Sequence, residues 1–362
     1  MYDVAVVGCG IAGVTAAYQA KLEGLSTVII EKDDPTCNAS SAAGAFLSPK
    51  FGPKSSYSSL VNRAFNYSVD FYKKNFDEFL HVCGMLRLAR DKEEEAKCDS
   101  YVEDSDFWIK KDGGYWCENA ATISTFETIK KMASFADNYY KSEAKDFYYQ
   151  DDCWNIGDIK AKHLILASGA RLLLNEPYLY VKSIFGQRLE ACVEKGFDFS
   201  VHRKCSIGPF IEGKVQIGAS HIPSWRYQDS ETLFGEYRDR LIQEAQDILQ
   251  SKIAVNAEYR GFRSSTIDFF PYCGQVINAK ETLAKIPHLI YGAAADEKEF
   301  IYHKNLWLHQ GHGARGFVLA PYTAMHLIRQ ILNKKSDENE IKLVRAFIRY
   351  ARKAKSKLRE FA

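Results

Sequence analysis

The sequence has no run close to the roughly 20 consecutive apolar residues that a membrane-crossing helix needs, which excludes a helical span and any membrane partner that depends on one. It has no C-x-x-C pair. Its nine cysteines, scattered from Cys9 to Cys273, are odd in number, a pattern that suits reduced thiols and speaks against a disulfide frame, a zinc site or another bound metal. It has no internal repeat of solenoid type, and a formal net charge of only +2 gives the whole chain no bias toward polyanions. A strand-like run begins at Tyr2 and leaves no room for a secretory leader, so the expected location is cytoplasmic. What is present is ample apolar material, 46% hydrophobic and 13% aromatic residues, over 362 positions. That exceeds one ordinary core of about 100 to 150 residues and predicts two lobes.

The chain is organised around Tyr2-Asp3-Val4-Ala5-Val6-Val7-Gly8-Cys9-Gly10-Ile11-Ala12-Gly13. Val4 to Val7 read as a buried parallel strand, Gly8, Gly10 and Gly13 fall in G-x-G-x-x-G spacing, and Val14 to Leu22 read as a helix packed on a sheet. Gly8 suits the tight turn, Gly10 the close approach of backbone to a pyrophosphate, and Gly13 the contact of helix with strand. The helix N-terminus offers free N–H groups and positive dipole to phosphates. After Gly24 a second strand, Thr27 to Ile30, ends in Glu31, whose carboxylate can hold the two ribose hydroxyls of an adenosine.

Lys32 to Cys37 is a polar loop leading into Asn38-Ala39-Ser40-Ser41-Ala42-Ala43-Gly44-Ala45, where small residues suit either a flexible loop or a backbone pressed against a flat or phosphorylated ligand. Leu60 to Leu80 and Thr122 to Ala136 have helical spacing, the latter with Ser124 or Thr125 as N-cap. Between them, Leu86-Arg87-Leu88, Phe107 to Ile109 and Tyr115-Trp116 suggest an inserted antiparallel piece, with Asp91 to Glu95 a solvated charge run. Short strands are expected within Ala144 to Ile156. Lys162 to Ala170, with Ala167-Ser168-Gly169, is a buried strand closing on a small-residue turn, either an ordinary core strand or one returning to the nucleotide sheet. Strand-like, turn-rich sequence follows from Tyr178 to Gly218, then a helix from Glu231 to Leu249. Arg263 stands just after a strand-like run and before a Pro-containing turn, as a surface cation or a substrate ligand. Finally Gly311, Gly313 and Gly316 repeat the glycine spacing before a helix at Tyr322 to Leu332, implying that both ends of the chain meet in one nucleotide domain.

The N-terminal motif with Glu31, the Ala39-Ser40-Ser41 to Gly44 segment, Leu166 to Ala170, the block from Arg263 to Gly274 and Gly311-His312-Gly313-Ala314-Arg315-Gly316 together resemble the D-amino-acid oxidase family of FAD enzymes over nearly the whole chain. Gly261-Phe262-Arg263-Ser264-Ser265-Thr266, the His312 to Gly316 run and Ala320-Pro321 are similar to the FAD-dependent half of the MnmC enzymes, which act in biosynthesis of 5-methylaminomethyl-2-thiouridine in tRNA. The Asn-Arg-Gln common there after the small residues is replaced by Ala42-Ala43. The resemblance implies an α/β fold: a Rossmann-like FAD-binding domain of glutathione-reductase type (1–80, 118–176 and 264–335), an inserted antiparallel β-sheet substrate domain (81–117 and 177–263) and a basic C-terminal helix (336–362). It implies FAD contacts from Gly8, Gly10, Ile11, Ala12, Gly13, Glu31, Lys32, Ala39, Ser40, Ser41, Gly44, Ala45, Ala167, Ser168, Gly169, Gly311, Gly313, Ala314, Arg315 and Gly316. No cysteine lies in Gly311 to Gly316, so the flavin is expected to be noncovalent.

The activity it implies is oxidation of a secondary amine bearing a carboxylate. Arg263 would grip the carboxylate with its two-pronged donor, and His312 would touch substrate or shape its turn. The substrate would be a carboxymethylaminomethyl wobble uridine in tRNA, or a free amino acid such as glycine, sarcosine or a D-amino acid, with molecular oxygen as electron acceptor. The tail bears on that choice: from Ile341 to Ala362 eight lysines and arginines face Glu360 alone, and Leu343, Phe347, Tyr350, Ala354, Leu358 and Phe361 recur at steps of three or four. This is an amphipathic helix whose basic face follows an RNA backbone or is simply solvated while the helix docks on the domain.

Overall fold

The computed structural model describes residues 1–34, 38–111, 113–223 and 231–360. Cys37 and Phe361 lie outside the described residues, as do the side chains of Ala354, Lys355, Lys357, Leu358 and Arg359. The first strand, Tyr2–Val7, lies parallel between Thr27–Glu31 and Ile159–Leu166, with Val4 opposite Thr27 on one side and His163 on the other. Asn138–Lys141 extends the sheet at one edge; Cys153–Ile156 and Phe147–Gln150 extend it at the other. Tyr302–Gln310 runs parallel to the end of Ile159–Leu166 and carries Tyr272–Ile277 antiparallel beside it.

The β-branched run of the first strand is explained by burial on both faces. Val4 and Val6 point into one core with Val14, Leu60 and Leu327, whereas Ala5 and Val7 point into another with Tyr178, Leu289 and Phe347. Alternate side chains leave a strand on opposite sides, so a strand with two covered faces must be apolar throughout. The first core lies under the helices Ile11–Leu22, Ser56–Asn75 and Gly316–Ile331.

A second sheet comes from 85–117 and 182–265. Its spine is the antiparallel pair Lys182–Val193 and Ile253–Ser265, and the helix Glu231–Leu249 covers it by setting Leu241, Ala245 and Leu249 on Leu189, Ile207 and Ile217. The sheet is antiparallel except at one seam, where Ser200–His202 runs parallel to Met85–Arg87. Those strands are more than 100 residues apart, so no hairpin fixes their relative direction.

Some local expectations are corrected. The charge run Asp91 to Glu95 is solvated as expected, but it also opens a helix: Asp91 accepts from the Glu94 N–H at 2.8 Å and caps Lys92–Val102, whose acidic first turn suits the dipole. The helix expected over Leu60 to Leu80 starts at Ser56 behind a Ser55/Ser58 capping box and stops at Asn75, before a strand at Leu80–Val82. Helix Thr125–Ala133 follows a short strand at Ala121–Ile123. The last helix of the nucleotide fold begins at Gly316, not at Tyr322, and holds Pro321 inside it. Arg263 is within a strand, not after one.

The C-terminal helix, Val344–Glu360, is docked. Leu343, Ala346, Phe347 and Ala351 are fully buried in the second core, where the Phe347 ring meets Tyr178 edge-on at 5.7 Å and Phe300 at 5.3 Å. Among the described residues no helix is long and apolar enough to cross a membrane. Phe347→Ala should therefore cost about 3 to 5 kcal/mol in chemical denaturation; a loss under about 1 kcal/mol would show that the helix contributes no core.

Candidate active site

Two glycines bring the first strand, its helix and the returning strand into contact. Gly8 has φ +112°, and a Cβ there would lie 2.4 Å from the Ala167 carbonyl oxygen. One on Gly13 would lie 1.9 Å from the Gly8 carbonyl. Such distances admit only hydrogen, so any larger residue must separate helix from sheet. Gly10 then caps the helix Ile11–Leu22. The Ile11 N–H donates to Ser40 Oγ at 2.9 Å, which draws the small-residue segment across the helix N-terminus. Glu31 accepts from the Cys9 N–H at 2.7 Å and the Asp33 N–H at 3.0 Å, holding its carboxylate at the end of the second strand.

Around this turn lies a cavity of about 580 Å³, lined by Gly8, Gly10, Glu31, Lys32, Ala39, Ser40, Ala167, Ser168 and Gly169. It runs into a second one of about 390 Å³, with Gly10, Ala39, Ser40, Ala167, Gly169 and Phe262 lining both. The second is bounded by Ile11, Ala12, Gly44 and Ala45 on one side and by His312, Gly313, Ala314, Arg315 and Gly316 on the other, with Arg263 from the second sheet. Gly13, Ser41 and Gly311 stand outside both. Gly13 packs helix on strand, Ser41 is buried with its carbonyl accepting from Thr125 Oγ1 at 3.2 Å, and Gly311, at φ +87°, passes Thr266 too closely for a side chain.

The long cavity fits FAD. The N-termini of two helices, at Ile11 and at Gly316, meet at the second cavity, and a Cβ on Gly316 would lie 3.0 Å from Ile11 Cγ2. Gln310 lines the same cavity, 1% exposed, and accepts from Ser168 Oγ at 3.3 Å while its buried Nε2 finds no acceptor among the described residues, so a donor is left for a ligand. Paired dipoles and free N–H groups suit a diphosphate.

Arg263 defines the far end. In the register of the long pair it faces Ile184, and its Nη2 lies where a Cβ on Gly186 would be, 2.4 Å away. Its Nη1 donates to the Ser220 carbonyl at 3.2 Å and to His221 Nδ1 at 2.8 Å. Burial pulls the guanidinium down to about 10, still charged at neutral pH. Among the described residues no carboxylate pairs with it. Arg315 donates to the Ser48 carbonyl at 2.9 Å, and Arg87 sits 4.8 Å above the Phe51 ring. Both line the same cavity, which is therefore cationic.

The sequence alone does not single out His221, Gln310, Arg87 or Ser264, whose Oγ accepts from the Gly311 N–H at 3.1 Å at the cavity wall. Arg87 carried a signal, a cation in the middle of the strand Leu86-Arg87-Leu88, and Gln310 directly precedes the glycine run. His221 carried none.

His312 lines the cavity, but its ring is committed to the turn. His309 Nδ1 lies 2.9 Å from the Ala12 carbonyl, so it is the donor, and His309 Nε2 accepts from Thr323 Oγ1 at 2.8 Å. Thr323 Oγ1 in turn accepts from His312 Nε2 at 3.0 Å. This chain ties the C-terminal glycine loop to the N-terminal helix. Thr323 Oγ1 also lies 2.9 Å from the Leu319 carbonyl, and it is burial that favours neutral rings, pushing His309 down to about 4 and His312 further. Burial also lowers His221 to about 4 and His202 to about 3.

These depressed values fix a sign. The unfolded rings take protons near 6.5 and the folded ones do not, so the stability they confer is present above that pH and is lost as the pH falls toward 4. The thermal midpoint should already drop between about pH 7 and about pH 5, before most carboxylates titrate; a flat midpoint across that window would exclude the neutral assignment.

Comparison with known proteins agrees with this geometry. The family model described as FAD dependent oxidoreductase matches residues 3–330. A tRNA 5-methylaminomethyl-2-thiouridine biosynthesis bifunctional protein MnmC from Campylobacter fetus is 24% identical over 349 residues, covering 92% of this chain and 56% of that relative, so the chain spans about half the length of the curated relatives it matches. Glycine oxidase from Geobacillus kaustophilus superposes with a TM-score of 0.74 at 19% identity, covering 94% of this chain and 98% of the other. Iminodiacetate oxidase from Chelativorans sp. BNC1 gives 0.72 at 16% identity, covering 95% and 98%. Those likenesses show the expected α/β fold, and the family match extends from the first strand through the helix that Gly316 opens. The cavity shaped by two glycine-opened helices thus has the lining FAD needs, and the chain belongs to the FAD-dependent oxidoreductase family of D-amino-acid oxidase type.

Proposed function

We propose that this oxidoreductase acts on a secondary amine bearing a carboxylate, and that the amine is the carboxymethylaminomethyl group of a wobble uridine in tRNA. The observation that carries the reading is Arg263: a guanidinium enclosed in the cavity without a carboxylate among the described residues. An enclosed charge is costly unless paired, so the site favours a ligand that brings the anion. A planar fork binds a carboxylate through two parallel hydrogen bonds, orienting it as well as attracting it. The tRNA assignment is supported by the MnmC relatives and by the sequence runs shared with them.

Bound FAD supplies the hydride acceptor for the carbon between nitrogen and carboxylate. Arg263 holds the carboxylate, and His221, neutral and accepting from Nη1, fixes the direction of the fork without adding charge. The Gly313–Arg315 turn and the helix starting at Gly316 line the cavity, so their free N–H end stabilises negative charge that develops there. No side-chain base is needed when the amine arrives unprotonated. Loss of hydride and the amine proton leaves an imine. Water cleaves it to glyoxylate and the aminomethyl base. Molecular oxygen as the final acceptor, giving peroxide, completes the proposal.

Anaerobic bleaching of the oxidised-flavin absorbance tests it. tRNA carrying carboxymethylaminomethyl uridine should bleach the holoprotein, and bleaching only by glycine, sarcosine or D-alanine would replace this reading with a free amino-acid oxidase. Arg263→Ala should lower kcat/KM about 100- to 1,000-fold with flavin retained, the effect of unpairing a buried charge. Full activity in that variant would remove the carboxylate clamp.

A further inference from the structure

Directly after the strand that carries Arg263, the chain turns outward. Phe269 is 61% exposed and adopts φ +67°, a left-handed conformation that a bulky side chain rarely takes, and Ile267 beside it is 46% exposed. Holding a phenylalanine in that backbone and in water costs stability twice, and strain of this kind clusters where ligands bind. The segment is held firmly in this state. Thr266 Oγ1 donates to the Phe270 carbonyl at 2.8 Å, Asp268 pairs with Arg349 at 2.7 Å and with Arg345 at 3.2 Å, and Arg345 also donates to the Phe270 carbonyl.

On one side of Phe269 is a surface groove of about 720 Å³ along the C-terminal helix. Lys342, Arg345, Arg349, Arg352 and Lys353 line it against only Asp268 and Glu297. On the other side the Phe269 ring meets Tyr57, 6.0 Å between centroids, and Tyr57 is near enough to Arg315 in the active cavity for their charges to interact. The exposed aromatic therefore follows Asp268 of the cationic groove directly in sequence, and Tyr57 stands between its ring and the field of Arg315.

We infer that this is a docking surface for single-stranded RNA, in which a base stacks on Phe269 and the neighbouring phosphates lie in the groove. The inference rests on the reading that the substrate amine is carried by tRNA. An excess of cations complements a phosphate backbone, and an exposed ring beside them is the stacking platform that single strands use. The arrangement also explains why the basic helix is clamped to the segment following Arg263: the same ion pairs that hold Asp268 set the groove beside the segment that carries Phe269.

Fluorescence anisotropy with a labelled tRNA, using holoenzyme, Phe269→Ala and Arg352→Glu, decides it, with thermal midpoints confirming that the variants fold. Phe269→Ala should weaken binding about tenfold, as loss of one stacked base does. Arg352→Glu should weaken it several-fold and flatten its dependence on salt. Both variants should turn over the free nucleoside 5-carboxymethylaminomethyluridine as the unaltered enzyme does. Equal tRNA affinity in all three proteins overturns the surface. So does weakening by Arg352→Glu without any effect of Phe269→Ala, which marks a plain polyanion face. Failure of the unaltered enzyme to be bleached by either tRNA or nucleoside is a separate result and removes the function reading, whatever the binding data show.

Discussion

The structure depends on how closely its two glycine-opened helices approach each other. Gly8 and Gly13 bring the N-terminal helix against the sheet, Gly316 brings the helix Gly316–Ile331 against Ile11, and the His312–Thr323–His309–Ala12 chain ties the two together. Each contact is short because a hydrogen stands where a methyl would intrude. Only when both helices start at one place do their dipoles add along one cavity. The doubly covered sheet, with its two apolar cores, is what holds them in register.

Much of this was legible in the sequence, for a physical reason. A parallel strand buried on both faces must be apolar along its length, and a helix N-terminus facing phosphate must be approached by backbone, so Val4 to Val7 and Gly8 to Gly13 announce themselves locally. The same is true of Gly311 to Gly316, and of the apolar spacing that docks Leu343 and Phe347. What the sequence could not show is anything set by pairing between distant segments. The helix capped by Asp91 read as a charge run because its acidic first turn is most of its signal. His221 reaches Arg263 only because the second sheet folds residues 42 apart onto each other, and no spacing announces such a contact.

The cavity combines two opposite electrostatic solutions. Its histidines are kept neutral by burial, so they act as fixed hydrogen-bonding parts of the frame. Arg263 remains charged because a guanidinium resists deprotonation even when enclosed. The result is a site whose positive field changes little over the ordinary pH range and whose counter-charge is left for the ligand to bring. That cost in stability is offset by the hydrophobic cores on either side of the main sheet.

The register of the long antiparallel pair sets Gly186 opposite Gly261, the first leaving space for the Arg263 guanidinium and the second passing 2.5 Å, at the would-be Cβ, from Ala39 Cα in the flavin segment. A slip of one residue would turn Arg263 to the opposite face of the sheet. Beyond these glycines the pairing is broken by a bulge at Glu190/Ala191. A bulge takes up an extra residue locally, so the register of the outer part of this pair is decoupled from that of the arginine. The strand pair therefore has an inner half locked by close backbone contacts around Arg263 and an outer half whose register is already relaxed.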